Sequence, residues 1–451
     1  MRFNPLPLLL LAVGTYFLIR LRFFFILHPV RTLRRGLRAI KGKRARRSFS
    51  LALAGTLGVG NVFGVAVGIM IGGPGTLFWL FFSMIFAMVI KYCEVVISSD
   101  NLYHGTDTHG GIYYVLRTSL GRLGVPLSAL YSLCVLLLSL VMGGALQSGA
   151  MVGSVRASFD FDSVTVAAFV VFVVLIGILG NSARLEKITA FVIPLTTIIY
   201  ILLTLSVIIY NSSELSNTVK LVFSSAFSPR SAFGGCLGFL LSLPVREGFA
   251  RGILSNEAGA GTSSMAHTRS GLISPSTAGI LGIFEVWFDT GLICMLTGFA
   301  ILLSVPDPTS FTDGMTLVSY SVGNLFGVAG KHVLTFTVLS FAFATVICWY
   351  YYGTEAWGTL FGKRKRAAFL PLFLLFVFLG CFFDGMLLVT LTDMLMLLAS
   401  LITLFALMKS SDRIKTLSEL GGAVGSVSGR LDRFHIGNIK GILSWKGAGR
   451  R

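Results

Sequence analysis

The residues with chemistry to offer are few, and they sit inside apolar sequence. Glu94, Glu285 and Asp289 lie within or beside long hydrophobic runs. Ionisable groups at such positions are functional candidates, because a charge in hydrocarbon is costly to keep. Glu285 and Asp289 are four residues apart and share a helix face. They suit a coupling-ion or proton site, or structural hydrogen bonding inside a bundle. Asn256 and Glu257 suit helix caps, pairs for Arg251 or an inner gate. A different signal is Gly58-Val59-Gly60-Asn61, with apolar sequence on both sides. Glycine permits non-helical backbone, and asparagine can bond the backbone groups so released. In the middle of a membrane such irregular backbone survives only where it lines a cavity. A second such stretch runs Phe233-Gly234-Gly235-Cys236-Leu237-Gly238-Phe239, with Pro244 beyond it. Half-helix ends expose unpaired N–H and C=O groups. Such groups can hold a polar ligand, and small residues at Gly58 and Gly60 would let it reach the backbone.

Enzymatic chemistry is not signalled. There is no H-E-x-x-H, G-x-S-x-G or Walker sequence. The six histidines are scattered mostly over loops. The six cysteines lie in apolar stretches without a C-x-x-C, and read as small buried hydrophobes. A channel would need a pore-loop signature, which is also missing.

The elements that position these groups follow from composition. Of 451 residues, 54% are hydrophobic and 12% charged, against about 25% charged in soluble domains. That excludes a soluble enzyme, an extracellular module and a disordered chain. Apolar runs near the ~20 residues of a membrane span occur at 5–27, 51–71, 75–99, 125–153, 162–180, 188–210, 231–254, 276–304, 332–354, 367–383 and 386–408. The first follows Arg2 and has no cleavage site, so it reads as an uncleaved span; Arg20 and Arg22 near its end can snorkel to the interface. The reading is an all-α polytopic membrane protein of about eleven helices. The excess of 37 basic over 19 acidic residues gives a net charge of +18. Nine basic residues separate the first two spans, and 29 of the 37 fall on that side when loops alternate. This places the N-terminus outside and the C-terminus in the cytoplasm of a cell-membrane protein. It explains the charge through topology and lipid contact, without nucleic acid or an obligatory protein partner. The Gly-, Ser- and basic-rich tail from 409 to 451 is expected on the membrane surface or disordered.

With 1–50 set aside as an extra helix and basic segment, 51–210 and 231–408 hold five spans each, in opposite topology. Interruptions in corresponding helices of inverted halves point to the central site of a transporter.

The motifs carry a resemblance. Leu53–Gly75 (ALAGTLGVGNVFGVAVGIMIGGPG from Ala52), Lys91-Tyr92-Cys93-Glu94, Gly110-Gly111-Ile112-Tyr113-Tyr114, Ala250-Arg251-Gly252-Ile253-Leu254-Ser255-Asn256-Glu257-Ala258-Gly259, Ala266-His267, Phe288-Asp289-Thr290 and Trp349-Tyr350-Tyr351-Tyr352-Gly353 fall in order along the chain. The chain resembles the alanine/glycine:cation symporters of the APC superfamily. The resemblance implies a LeuT-type 5+5 inverted repeat after one extra N-terminal helix. It implies symport of alanine or glycine with Na⁺ as coupling ion. Thr56, Gly58, Gly60, Asn61, Gln147, Gly238, Phe239 and Trp349 then correspond to substrate-binding positions, the Trp349 indole limiting substrate size. Backbone oxygens of Ala54, Leu57 and Phe341 and the hydroxyl of Thr345 correspond to the Na⁺ site. The chain departs from the family at Ala344, where a serine is expected, and around Gly143–Gly149 on the third core helix. A proton-coupled or uncoupled carrier, or a non-transporting amino-acid sensor on the same fold, is compatible with these residues.

Overall fold

The computed structural model describes residues 5–104, 111–179, 182–227, 242–269 and 274–427. Among these residues the chain is helical, with no strand. The principal helices are α1 (Leu6–Arg20), α2 (Pro29–Ile40), α3 (Lys43–Thr56), α4 (Phe63–Gly72), α5 (Gly75–His104), α6 (Ile112–Ser119), α7 (Gly121–Arg156), α8 (Ser163–Leu179), α9 (Ser182–Tyr210), α10 (Leu215–Ala226), α11 (Leu243–Asn256), α12 (Ser263–Arg269), α13 (Pro275–Ser304), α14 (Gly314–Phe361), α15 (Phe369–Gly380), α16 (Gly385–Lys409) and α17 (Ser411–Val427). Six are long and apolar enough to cross a membrane, or seven when α3 and α4, bent by 62° at their junction, count as one span. α1, α8 and α15 are apolar but shorter. The architecture is that of a polytopic membrane protein.

α5 is the central helix, with 83% of its apolar window buried, against 39% for α9. On the periphery, Phe169, Phe172, Ile176 and Leu179 of α8 form an exposed stripe at helical spacing, a face for hydrocarbon rather than water. α1 ends earlier than the expected 5–27 span, because Arg22 and Phe23 take left-handed backbone (φ 55° and 49°) and turn the chain. The expected span 332–354 lies inside α14, which is kinked at Gly327 (φ 58°, ψ −143°). Part of the tail expected to be superficial or disordered forms α17. Arg413 of α17 reaches both oxygens of Asp100 at the end of α5 (2.7 and 3.0 Å). Tyr16 and Ser411 share a hydrogen bond of 2.7 Å, and Arg20 pairs with Asp412.

The expected span 231–254 overlaps α11, and α12 follows where a connection between spans was expected. Every residue from Glu247 to Thr268 is buried. Arg251, one of the 29 basic residues counted on the cytoplasmic side, is 2% exposed and pairs with Asp393 of α16 and with Glu247 (3.4 Å). Burial of the arginine is tolerated because two carboxylates meet it.

α7 and α13 each contain a π-helical stretch, Ser139–Leu146 and Trp287–Cys294. Such widened turns redirect side chains and gather at functional sites.

Candidate functional site

The first break follows from its backbone bonding. Leu57 N donates to Leu53 O (2.8 Å) and closes the last turn of α3. Gly58 N then donates to Thr56 O (2.7 Å), and Val59 N to the side-chain Oε1 of Gln147 (3.1 Å). The helical ladder stops there, as the Gly58–Asn61 sequence predicted. Thr345 Oγ1 of α14 shares its proton between the carbonyls of Ala54 and Leu57, 3.3 Å from each. Three hard oxygens therefore converge beside the break, a donor set fitted to a hard cation. Gly58 makes this approach possible, since a Cβ there would lie 2.9 Å from Thr345 Oγ1 and 3.0 Å from Gln147 Oε1. Ala344 is buried next to Thr345 and offers no hydroxyl. Phe341, one turn earlier, packs its ring edge-on against Tyr200 at 5.8 Å. Thr56 turns its hydroxyl back onto Ala52 O (3.2 Å) within its own helix.

The expected interruption at 233–239, with Gly238 and Phe239, lies outside the described residues. Among the described residues a second break faces the first, between α11 and α12. Glu257 is left-handed (φ 55°), and Gly259 and Gly261 have φ of 92° and 78°, backbone that favours glycine. The two breaks touch: a Cβ on Gly60 would lie 3.1 Å from Leu254 O.

Asp289, in the π-helical turn of α13, joins them. Asn61 Nδ2 donates to its Oδ1, and Ser255 Oγ to its Oδ2. Thr290 Oγ1 also donates to Oδ2 (3.1 Å), and Asn256 Nδ2 donates to Thr290 Oγ1 (3.0 Å). Among the described residues no cationic side chain pairs with Asp289. Two polar atoms at predicted site positions are buried without a hydrogen-bond partner: Asn61 Oδ1, an acceptor, and Trp349 Nε1, a donor. Orphaned buried groups cost about 1–3 kcal/mol each, so they mark places where a ligand or water is wanted. Trp349 is fully buried, and a Cβ on Gly143 would collide with its indole. The altered Gly143 region thus seats this tryptophan.

Below the breaks lies a buried ion network. Glu94 Oε1 accepts from Gly259 N (2.8 Å) and Gly261 N (3.1 Å). Tyr131 OH donates to Ala260 O (2.8 Å). Lys91 Nζ donates to Ser263 Oγ and to Glu285 Oε1 (3.3 Å). His267 lies between Glu285 Oε2 (2.9 Å) and Ser48 Oγ (3.0 Å). Glu285 and Asp289, expected on one face, thus serve different sites one turn apart. Asn256 caps its own turn through Ala258 N (2.9 Å), and Glu257 Oε2 accepts from Thr262 Oγ1 (2.5 Å); Arg251 pairs with neither. Ser255, Thr290 and Ser263 carried no sequence signal beyond the motif around them. Among the described residues no three His, Cys, Asp or Glu converge on a metal.

Two helices broken in the interior, with polar groups gathered between them, define a membrane transporter. The family model for the sodium:alanine symporter family matches residues 2–418, and the chain belongs to that family. Membership places it among sodium-coupled amino-acid symporters, which are carriers and not enzymes. Its relatives include an uncharacterized transporter of Haemophilus influenzae, 29% identical over 90% of this chain and 91% of the relative. The probable sodium/glutamine symporter GlnT of Bacillus subtilis is 29% identical, over 90% and 85%. The sodium/alanine symporter AgcS of Methanococcus maripaludis is 28% identical, over 73% of each.

Proposed function

We propose that the protein carries a small neutral amino acid, alanine or glycine, into the cell with Na⁺ by alternating access. The reading includes a LeuT-type core of two inverted five-helix units, 51–210 and 231–408. It sets the N-terminus outside and the C-terminus in the cytoplasm. The observation that carries it is the bridge from Thr345 Oγ1 to the carbonyls of Ala54 and Leu57. It supports the reading because the proposed donors Ala54 and Leu57 share a broken helix with the N–H groups proposed for the solute. Na⁺ held by Ala54, Leu57 and Thr345, with the Phe341 carbonyl as a further ligand, neutralises part of the negative end of α3. It also fixes the orientation of Gly58–Asn61. A substrate carboxylate then meets preset N–H groups, and its ammonium meets Asn61 Oδ1 and carbonyls of the second break. Gln147 holds the break through Val59, and Trp349 closes the pocket against longer side chains. Because ion and substrate order the same backbone, each raises the other's affinity equally.

Asp289 favours a second reading. A buried carboxylate with three donors and, among the described residues, no cationic partner is also a place for a proton, which would make the carrier proton-coupled. The test is uptake of labelled alanine and glycine into proteoliposomes under an imposed Na⁺ or H⁺ gradient. Na⁺-driven uptake supports the first reading and H⁺-driven uptake the second. Uptake indifferent to both gradients sinks the symport proposal, and binding without uptake would make the protein a sensor.

A further inference from the structure

The amphipathic helix α2 has three bands. Thr32 and Gly36 are buried, Gly36 against the Phe284 ring of α13. Val30, Leu33 and Leu37 are exposed, at 65%, 45% and 53%. Arg31, Arg34 and Arg38 form an exposed basic band, with Arg35 half-buried beside it. Spacings of three and four bring these arginines together, and like charges so spaced repel. Among the described residues none of the four has a carboxylate partner.

The same helix forms one wall of a groove of about 1150 Å³. The opposite wall is the first turn of α13, with Ser276 and Thr277, where a 30-residue helix presents its free N–H groups. No acidic side chain among the described residues lines the groove. Leu27, Val30, Ile280 and Leu417 make it apolar as well. A second cavity of about 300 Å³ shares Arg31, Arg35 and Ser276. A cationic wall with an apolar floor that continues onto the exposed Leu27 and Val30 fits a molecule with both an anionic head and a hydrocarbon tail.

We propose that the groove between α2, the start of α13 and α17 binds an anionic phospholipid. The phosphate lies against Arg31, Arg34, Arg35 and Arg38, and the acyl chains leave along Leu27 and Val30. The bilayer itself supplies this ligand if α2 lies at the cytoplasmic face, so the proposal rests on the orientation given above. The link from α2 to α3 is Lys41-Gly42, with Gly42 extended (ψ 131°). A lipid that pins α2 therefore restrains the inner half of the first broken helix.

The test is lipid retention by the purified full-length chain, read by native mass spectrometry, with phosphatidylglycerol and phosphatidylcholine as probes. A basic residue at a membrane surface is worth roughly fivefold in binding. The wild type should prefer phosphatidylglycerol by at least roughly tenfold. Combined Arg31→Gln, Arg34→Gln, Arg35→Gln and Arg38→Gln should abolish the preference. Combined Lys43→Gln, Arg44→Gln and Arg46→Gln, outside the groove, should keep it. Equal retention of both lipids by the wild type overturns the proposal, as does a preference that survives the groove substitutions. A preference lost equally in the second set would mean diffuse charge rather than a groove. One abolished by millimolar inorganic phosphate would mean a soluble anion site. One-sided labelling of Leu37→Cys in sealed vesicles checks orientation separately. Labelling only from outside would overturn the topology, while retention measured in detergent would still report on the groove.

Discussion

Thr345 supplies the only side-chain oxygen in the proposed cation set, since its neighbour Ala344 has no hydroxyl. Thr345→Ala should therefore weaken Na⁺ binding without removing the backbone donors. Na⁺ at a hundred times its Kd stabilises a folded protein by about 2.7 kcal/mol, and a tenfold loss of affinity removes about half of that. The measurement is the unfolding midpoint with and without Na⁺; an unchanged Na⁺ increment would remove Thr345 from the site. Asn61→Ala withdraws a donor from the buried Asp289 carboxylate, with an expected cost of about 1–3 kcal/mol, and should weaken alanine binding measured by calorimetry. Wild-type affinity in a folded Asn61→Ala protein would contradict the placement. Trp349→Ala should admit longer neutral amino acids, glutamine among them, in competition against alanine uptake. An unchanged substrate range would deny the indole its limiting role. At this scale the sequence was informative where an unusual residue interrupts apolar neighbours. Asn61 stood out for that reason, whereas Gln147 and Thr345 entered through the family resemblance; all three lie at the first break. Ser255 and Thr290 did not, because a small hydroxyl inside a helix usually bonds its own backbone and carries no outward mark.

The two broken helices differed in legibility for a physical reason. The first break sits between apolar flanks, so Gly58–Asn61 is conspicuous. The second sits among Arg246, Arg251 and Glu257, and charge density mimics a loop unless the partners are known. Asp393, which accounts for Arg251, is 142 residues away. The π-helical turns were invisible because an extra residue in a turn leaves hydropathy unchanged. The ion network below the breaks makes its own prediction. Lys91→Met leaves Glu285 with one fewer donor in a dry interior, at an expected cost of about 3–5 kcal/mol. The double variant Lys91→Met/Glu285→Gln should recover part of it, read from unfolding midpoints. A double variant no more stable than the single would mean the pair is not the unit of stability. Ser48 and His267 tie α3 to α12, one half of each broken helix and, in the proposed orientation, the inner one. Ser48→Ala removes a bond worth about 0.5–1.5 kcal/mol. It should speed labelling of Ala45→Cys, a position now 7% exposed, from the cytoplasmic side. An unchanged labelling rate would show that this bond does not hold the inner face closed.

For the molecule as a whole, hydropathy located the long helices to within a few residues, since length and apolar content are summed along the chain. It was least accurate where a span is assembled from pieces. α1 stops at Arg20, and α14 combines an expected connection with an expected span across Gly327. α12 lies where a loop was expected. Of the basic residues counted on one side, Arg251 belongs to the interior rather than to a face.

α17 ends the described chain by returning to its beginning. Tyr16 and Arg20 of α1 meet Ser411 and Asp412, and Asp100 meets Arg413. These partners leave the ribosome after α1 and α5, by 395 residues for Tyr16 and 313 for Asp100. Until then the polar ends of α1 and α5 lack those contacts. Closure by α17 is thus a late event relative to the synthesis of α1 and α5. A polypeptide truncated before Ser411 would present those uncovered ends to the quality-control proteases of the membrane.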